Sequence, residues 1–352
     1  MLKCFAFKAR SRKGYVLRKI ISTAEQWPVA GTFRISRSSL RQITVVHVEI
    51  HDGDHVGYGE CRPYSRYDET PHGVIAKINS LGDKLEGLNT ENLPNYLSAG
   101  AARNAVDCAL WDLKAQKTGQ PVAQMLNLFP AQARQTAFTL SIDTPKKMQA
   151  AAKAAKAHRL LKIKIGDFDS GLAAALAIFE ARPDCELIID ANEALSFEQT
   201  QALRIHMNGL PVVLIEQPMA SSEKRRFESP DALPIICADE SLHTRKDLRR
   251  LWTAGYRAVN VKLDKTGGLT EAVSLIQDAR AMGFVVMIGC MVGTSLAMAP
   301  ATLLMPYADV VDLDGALLLA KDRKPAIQYN GQTIGPAPKS LWGHPRGKMR
   351  LV

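Results

Sequence analysis

The stretches Leu160-Leu161-Lys162-Ile163-Lys164-Ile165, Leu187-Ile188-Ile189-Asp190, Val213-Leu214-Ile215-Glu216, Ile235-Ile236-Cys237-Ala238-Asp239 and Val259-Asn260-Val261-Lys262 decide the fold. Each is a short apolar run that ends in a charged side chain. That is how a strand buried on both faces reads when its C-terminal end lines a site. Lys164, Asp190, Glu216, Asp239 and Lys262 follow one another at intervals of 26, 26, 23 and 23 residues. Such an interval holds one strand, one helix and two short loops, the repeat of a parallel β/α array.

Working outward, Phe138 to Ile142 reads as the first strand of the array. Phe284 to Cys290 and Asp309 to Gly315 read as the last two, which makes eight. Eight such units predict a closed parallel barrel, here of (β/α)7β type. Upstream, Tyr15 to Ser22, Ile43 to Ile50 and Val56 to Glu60 read as antiparallel strands, with turn chemistry at His51-Asp52-Gly53-Asp54. Gly31 to Ser39 is rich in Ser and Arg and reads as a loop. Ala101 to Lys117 shows helical spacing of Ala105, Cys108, Ala109 and Leu113. Residues 15–130 therefore read as an α+β domain, residues 131–330 as the barrel, and residues 1–14 and 331–352 as extensions.

The chain has 352 residues and a net charge of +10. Residues 1–14 contribute +5 and residues 331–352 contribute +4, so the body is near neutral. The excess reads as solvated tails and argues against a nucleic-acid partner. There is no apolar run long enough for a membrane span and no secretory pattern at the start. Six scattered cysteines without a C-x-x-C pair point to buried thiols in a reduced, cytoplasmic protein.

Three carboxylates at the ends of successive strands, Asp190, Glu216 and Asp239, offer hard oxygen ligands suited to Mg²⁺. Any one of them alone could instead cap a helix. Lys162 and Lys164 lie two apart on a strand and share a face. Adjacent ammonium groups disfavour each other's charge, which is expected to lower the pKa of a general base. Lys262 completes the set on the far side, whereas Lys265 reads as a loop residue. Asp312 and Asp314 share the face of the last strand and read as a pocket for a cation such as a substrate ammonium.

The order Lys-x-Lys, Asp, Glu, Asp, Lys on successive strands resembles the enolase superfamily, muconate-lactonizing subgroup. Gly100-Ala101-Ala102-Arg103-Asn104-Ala105-Val106-Asp107, Val261-Lys262-Leu263-Asp264-Lys265-Thr266-Gly267-Gly268 and Asp312-Leu313-Asp314-Gly315 resemble its dipeptide epimerases. The chemistry implied is that of the superfamily as a whole, a Lys or His base working beside Mg²⁺ that stabilises an enediolate.

The resemblance implies a capping domain over the barrel and one Mg²⁺ held by Asp190, Glu216 and Asp239. It implies Lys164 and Lys262 as bases on opposite faces of a substrate α-carbon, with Lys162 stabilising the enediolate. Asp312 and Asp314 would take the dipeptide's ammonium. Arg37, with Arg34 nearby, would reach an acidic side chain, and Thr294 and Ser295 would line the pocket. The implied pair is L-Ala-L-Glu and L-Ala-D-Glu, in murein peptide metabolism, with a homo-oligomer a possible assembly. Other activities of the superfamily, muconate cycloisomerase, o-succinylbenzoate synthase and N-acylamino-acid racemase, are the alternatives, and a basic binding protein is the reading from another class.

Overall fold

The structure, a computed structural model, describes residues 17–35, 38–227 and 233–346. Eight parallel strands form one sheet: β5 (Phe138–Leu140), β6 (Leu160–Lys164), β7 (Glu186–Asp190), β8 (Val212–Glu216), β9 (Ile236–Ala238), β10 (Ala258–Val261), β11 (Val285–Gly289) and β12 (Val310–Asp312). They pair in chain order. The ring is joined by the Ala137 N–H donating to the Val311 carbonyl at 2.8 Å. The predicted barrel is thus observed.

Helices α4 (Pro145–Ala154), α5 (Phe168–Ala181), α6 (Phe197–His206), α7 (Leu248–Thr253), α8 (Leu263–Thr266), α9 (Leu269–Ala281) and α10 (Ser295–Thr302) fill the crossovers. Between β8 and β9 the described residues hold no helix. The helix expected between Glu216 and Asp239 is therefore not found among the described residues there.

Side chains alternate along a strand, and the barrel interior uses that period. Leu160, Ile188, Leu214, Cys237, Ala258, Met287 and Val310 pack with Ala137 in one apolar cluster, with a residue from nearly every strand. Two positions further along come Lys162, Asp190, Glu216, Asp239, Asn260 and Asp312, with Gly289 at that level of β11. An apolar layer therefore closes the floor, and the next inward layer is charged. Burial of the Leu and Ile core offsets the cost of that layer, at about 1.5–3 kcal/mol per fully buried side chain.

The first domain is a three-stranded antiparallel sheet, β1 (Lys19–Ile35), β2 (Ser38–Asp52) and β3 (His55–Cys61). It is followed by α1 (Pro71–Asn79), α2 (Ala101–Thr118) and α3 (Val122–Met125). Within the expected loop at residues 31–39, the described residues 31–35 and 38–39 belong to strands of one long hairpin, pairing Arg34 with Ser39 and Ile35 with Ser38, with a register shift between Pro28 and Phe33. Its Arg34 carbonyl accepts from the Ile142 N–H at 3.2 Å, so main-chain pairing outweighs the polar composition.

Helix α2 is buried along almost its whole length, because it lies between β3 and the barrel. A Cβ on Gly57 would stand 2.1 Å from the Ala109 carbonyl oxygen, and one on Gly59 2.0 Å from that of Ala105. The glycines let helix and strand touch backbone to backbone. On its other side α2 holds the segment after β10. Arg103 donates to the Thr266 carbonyl at 2.5 Å and the Gly267 carbonyl at 3.1 Å, Thr270 Oγ1 donates to Asp107 at 2.6 Å, and Asn104 donates to Asp264 at 2.9 Å.

The C-terminal segment differs from expectation. Strands β13 (Tyr329–Asn330) and β14 (Thr333–Ile334) pair with β4 (Arg134–Gln135) in a small sheet. Trp342 is buried and donates from Nε1 to the Tyr58 carbonyl at 2.9 Å. Arg346 pairs with the buried Asp112 at 2.5 Å. Through residue 346 this is packed structure, not a solvated tail, since Trp342 and Asp112 both need partners inside. Residues 1–14 lie outside the described residues. Among the described residues no helix is long and apolar enough to cross a membrane.

Candidate active site

Strand register brings the charged layer together. Lys164 is level with Asp190, and Asp190 with Glu216. Glu216 is level with Cys237, two residues before Asp239. Asp190 and Glu216 are fully buried, and Lys162, Lys164, Asp239 and Lys262 nearly so. Lys162, Lys164, Asp239, Lys262, Asp312 and Asp314 line one cavity at the C-terminal end of the strands.

Each lysine rests on carboxylates. Lys162 Nζ lies 2.8 Å from Asp312, 2.6 Å from Glu216 and 3.1 Å from Asp190. Lys164 donates to Asp190 and, at 3.1 Å, to Asn192 Oδ1. Lys262 donates to Asp239 Oδ2 at 2.7 Å and stands 3.8 Å from Glu216. Lys162 so bridges Asp190 and Glu216, and Lys262 bridges Glu216 and Asp239.

These contacts set the charges. Burial opposes the Lys162 ammonium, but the carboxylates of Asp312, Glu216 and Asp190 outweigh it and hold its pKa well above the usual range. Burial likewise opposes Lys262, and Asp239 and Glu216 hold it up. Burial works against ionised Asp190, yet Lys164 and Lys162 bring it down to about 2. Glu216 goes the other way, to about 8, from burial and the Asp190 charge beside it. The lowering expected from the adjacent Lys162 and Lys164 ammoniums is therefore not found at Lys162. At Lys162 three carboxylates lie within 3.1 Å of the ammonium, and their attraction wins.

Asp190, Glu216 and Asp239 suit a hard cation in donor type and position: buried carboxylates on adjacent strands. Glu216 Oε2 has no hydrogen-bond partner, although Lys162 is near it. Among the described residues no three such side chains already surround one point, because the lysines bridge them. A cation would replace those ammonium contacts, and the donor set fits it.

Two neighbours escaped the sequence reading. Lys265 is buried and donates to Asp239 Oδ1 at 2.6 Å and to the Asn260 carbonyl at 3.0 Å. A four-residue helix, α8, turns it inward, and spacing along a strand cannot show that. Gln217 Oε1 accepts from the Asp239 N–H at 2.9 Å and the Ser241 N–H at 3.0 Å, from a backbone with φ of 32°. Asn260, which precedes Lys262 by two and shares its face, donates to Glu216 Oε1 at 2.7 Å.

Asp312 and Asp314 face the same cavity. Asp314 accepts from the Thr139 N–H at 2.7 Å, and burial with the Asp312 charge raises it to about 6. Asp312 Oδ1 is buried without a hydrogen-bond partner.

The remaining expected residues are placed differently. Thr294 is fully buried and donates to Glu60 at 2.6 Å while capping α10. Ser295 donates to Asp322. Neither lines the cavity; both are corrected to structural roles, since their hydroxyls are engaged by buried or part-buried acids. Arg34 is exposed and pairs with Asp143 at 3.2 Å. Arg37 lies outside the described residues.

Known proteins resemble this chain in sequence and fold. Residues 17–127 match the description "Mandelate racemase / muconate lactonizing enzyme, N-terminal domain", and residues 147–314 match "Enolase C-terminal domain-like". An N-acetyl-D-glutamate racemase of Pseudoalteromonas is 45% identical over 305 residues, 85% of this chain and 95% of the relative. The L-Ala-D/L-Glu epimerase of Escherichia coli K12 is 42% identical over 318 residues, 89% of this chain and 98% of the relative.

Among solved structures, an enolase family member from Agrobacterium tumefaciens, with bound sodium and L-Ala-L-Glu, superposes with a TM-score of 0.88 at 43% identity, covering 93% of this chain and 100% of that one. A dipeptide epimerase from Enterococcus faecalis, complexed with Mg and L-Leu-L-Tyr, gives 0.85 at 26% identity, covering 94% and 98%. With both domain descriptions matched and these relatives aligned over most of their length, the chain belongs to the mandelate racemase / muconate lactonizing enzyme family of the enolase superfamily.

Proposed function

We propose that this protein is a Mg²⁺-dependent dipeptide epimerase that inverts the α-carbon of the C-terminal residue, with L-Ala-L-Glu and L-Ala-D-Glu as its substrate pair. The observation that carries the reading is Lys164 and Lys262 lining one cavity from strand ends that flank the three carboxylates. An α-proton beside a carboxylate is a very weak acid, so inversion needs a base on each face and stabilised charge on that carboxylate.

Asp190, Glu216 and Asp239 would hold Mg²⁺. When bound, it would supply positive charge for the substrate carboxylate, and that charge would disfavour the protonated form of a lysine beside it. Lys164 takes the α-proton from one face and Lys262 returns one to the other, with the roles exchanged in the reverse direction. Lys162 stays protonated and meets the charge that builds on the carboxylate. Asp312 Oδ1, buried and unbonded, and Asp314 accept the dipeptide's ammonium. Among the described residues the five cysteines are free and buried or half-buried, which suits work in the cytoplasm, where murein peptides would be the source of the substrate.

A second reading, racemisation of N-acetylglutamate, is favoured by the 45% identical relative. The two-acid pocket favours the dipeptide, because an N-acetyl group carries no cation for Asp312 and Asp314.

The test is proton NMR in D₂O with Mg²⁺ and either L-Ala-L-Glu or N-acetyl-L-glutamate. Exchange of the Glu α-proton and growth of the D-Glu epimer from the dipeptide, lost in Lys164→Ala and Lys262→Ala, is expected. Turnover of N-acetylglutamate alone would overturn the dipeptide reading.

A further inference from the structure

We propose that Arg62 is a specificity-determining residue, which reads an anionic side chain on the substrate residue whose α-carbon is inverted. This rests on the dipeptide reading above. Arg62 follows the end of β3 and lines the same cavity as Lys164 and Lys262, from the first-domain side. It is the arginine of the cavity wall among the described residues.

Its guanidinium has five N–H donors. Nη1 donates to the Val292 carbonyl at 3.1 Å, and among the described residues that is the hydrogen bond the guanidinium makes. The nearby Asp264 carboxylate is engaged by the Arg62 main-chain N–H at 2.9 Å and by Asn104, not by the guanidinium. Burial pulls the guanidinium's pKa down, as it does for a cation whose charge is not matched by a bonded carboxylate.

The lysines of the cavity are already bonded to Asp190, Asp239 and Asp312. Arg34 is committed to Asp143. Among the described cationic side chains of the cavity, Arg62 therefore offers the uncommitted donors. Leu40, Val292 and Leu318 line the cavity with it and suit the methylene groups of an acidic side chain. A carboxylate placed among these residues would meet a planar, two-pronged donor, the geometry that arginine binds best.

The experiment compares kcat/KM and calorimetric binding for L-Ala-L-Glu and L-Ala-L-Gln, with Mg²⁺, in the wild type, Arg62→Gln and Arg62→Lys. The two dipeptides differ in a charged oxygen against a neutral amide. The wild type is expected to favour the acid by about 10- to 100-fold, the size of a hydrogen-bonded charge contact. Arg62→Gln should bring that ratio close to one, through KM more than kcat, and Arg62→Lys should restore part of it. A ratio unchanged in Arg62→Gln, or no preference in the wild type, overturns the proposal. Failure of the dipeptide reading looks different: neither dipeptide turns over. Binding then decides alone, since a preference for the acid that Arg62→Gln abolishes still assigns Arg62 as the anion reader, and no such preference rejects it.

Discussion

Lys265 donates to Asp239 Oδ1 at 2.6 Å while Lys262 donates to Oδ2 of the same carboxylate at 2.7 Å. One acid thus stands between two buried ammoniums, only one of which lines the cavity. Lys262 lines the cavity, and Lys265 holds the acid from behind. Replacing Lys265 by Met removes half of that support and leaves a buried charge under-compensated. A stability loss of about 3–5 kcal/mol is expected, as for breaking a buried ion pair. Urea unfolding of Lys265→Met, Asp239→Asn and the double variant checks it. Losses that simply add would deny the coupling.

Metal dependence follows from the three carboxylates. Chelation with EDTA should abolish turnover and Mg²⁺ should restore it. Mg²⁺ should also raise the melting temperature of the wild type, by about 2.7 kcal/mol of stabilisation at a hundredfold excess over Kd. The shift should vanish in Glu216→Gln. A Tm that ignores Mg²⁺ in the wild type would count against the site.

Asp264 gives a pH prediction. Burial raises its carboxyl from the usual range to about 7, against the hydrogen bonds from Arg62 and Asn104. The folded chain thus binds a proton there more tightly than the unfolded chain. Stability from this group is present at low pH and falls as pH rises from about 4 to about 7, by at most ~1.4 kcal/mol for each pH step of one in that interval. Asp264→Asn keeps the acceptor and removes the titration. Its stability relative to wild type should improve between about pH 4 and about pH 7, measured by urea melts. A constant difference would show that Asp264 does not titrate there.

Gly59 sets the contact between β3 and α2. Alanine there would place Cβ 2.0 Å from the Ala105 carbonyl oxygen, which is backbone and cannot swing aside. Gly59→Ala should cost about 4 kcal/mol or more, in the range reserved for core disruption. Thermal melting of the purified variant, or its failure to accumulate in the soluble fraction, is the check.

A stop after Lys339 would remove Trp342, Gly343 and Arg346. Asp112, fully buried, accepts from the Gly343 N–H at 2.8 Å and pairs with Arg346. Truncation should cost about 3–5 kcal/mol, because the acid is left buried. Asp112→Asn in the truncated chain should recover part of it. A truncated chain as stable as the whole would restore the solvated-tail reading.

Much of the site was legible because a strand has a period of two residues. Once Leu160-x-Lys162-x-Lys164 is read as a buried strand, the lysines must share a face, and the same holds for Val310-x-Asp312-x-Asp314. The interval between strand ends then placed Asp190, Glu216 and Asp239 side by side. Lys265 was not legible, because the chain leaves β10 and turns into a single helical turn, where the strand rule no longer applies. Thr294 and Ser295 were misread for a related reason. A hydroxyl near a strand end reads the same whether it faces the cavity or caps a helix, and here Glu60 and Asp322 take both.

The hairpin tip and the C-terminus show the other limit. Their composition is polar or irregular, and composition reports only what a segment could do in water. Backbone pairing between Arg34 and Ile142, and the burial of Trp342 against Tyr58 and Cys108, depend on partners more than a hundred residues away. By itself, the sequence determined the barrel, the order of its strands and the charged layer at their ends, since these follow from local period and spacing. Tertiary structure alone decided which ammonium rests on which carboxylate, that carboxylates outweigh neighbouring lysines in setting their charge, and that Arg62 reaches the cavity. Those outcomes depend on distances of a few ångströms across strands and domains, and Coulomb energy and hydrogen bonding respond to distance in space, not along the chain.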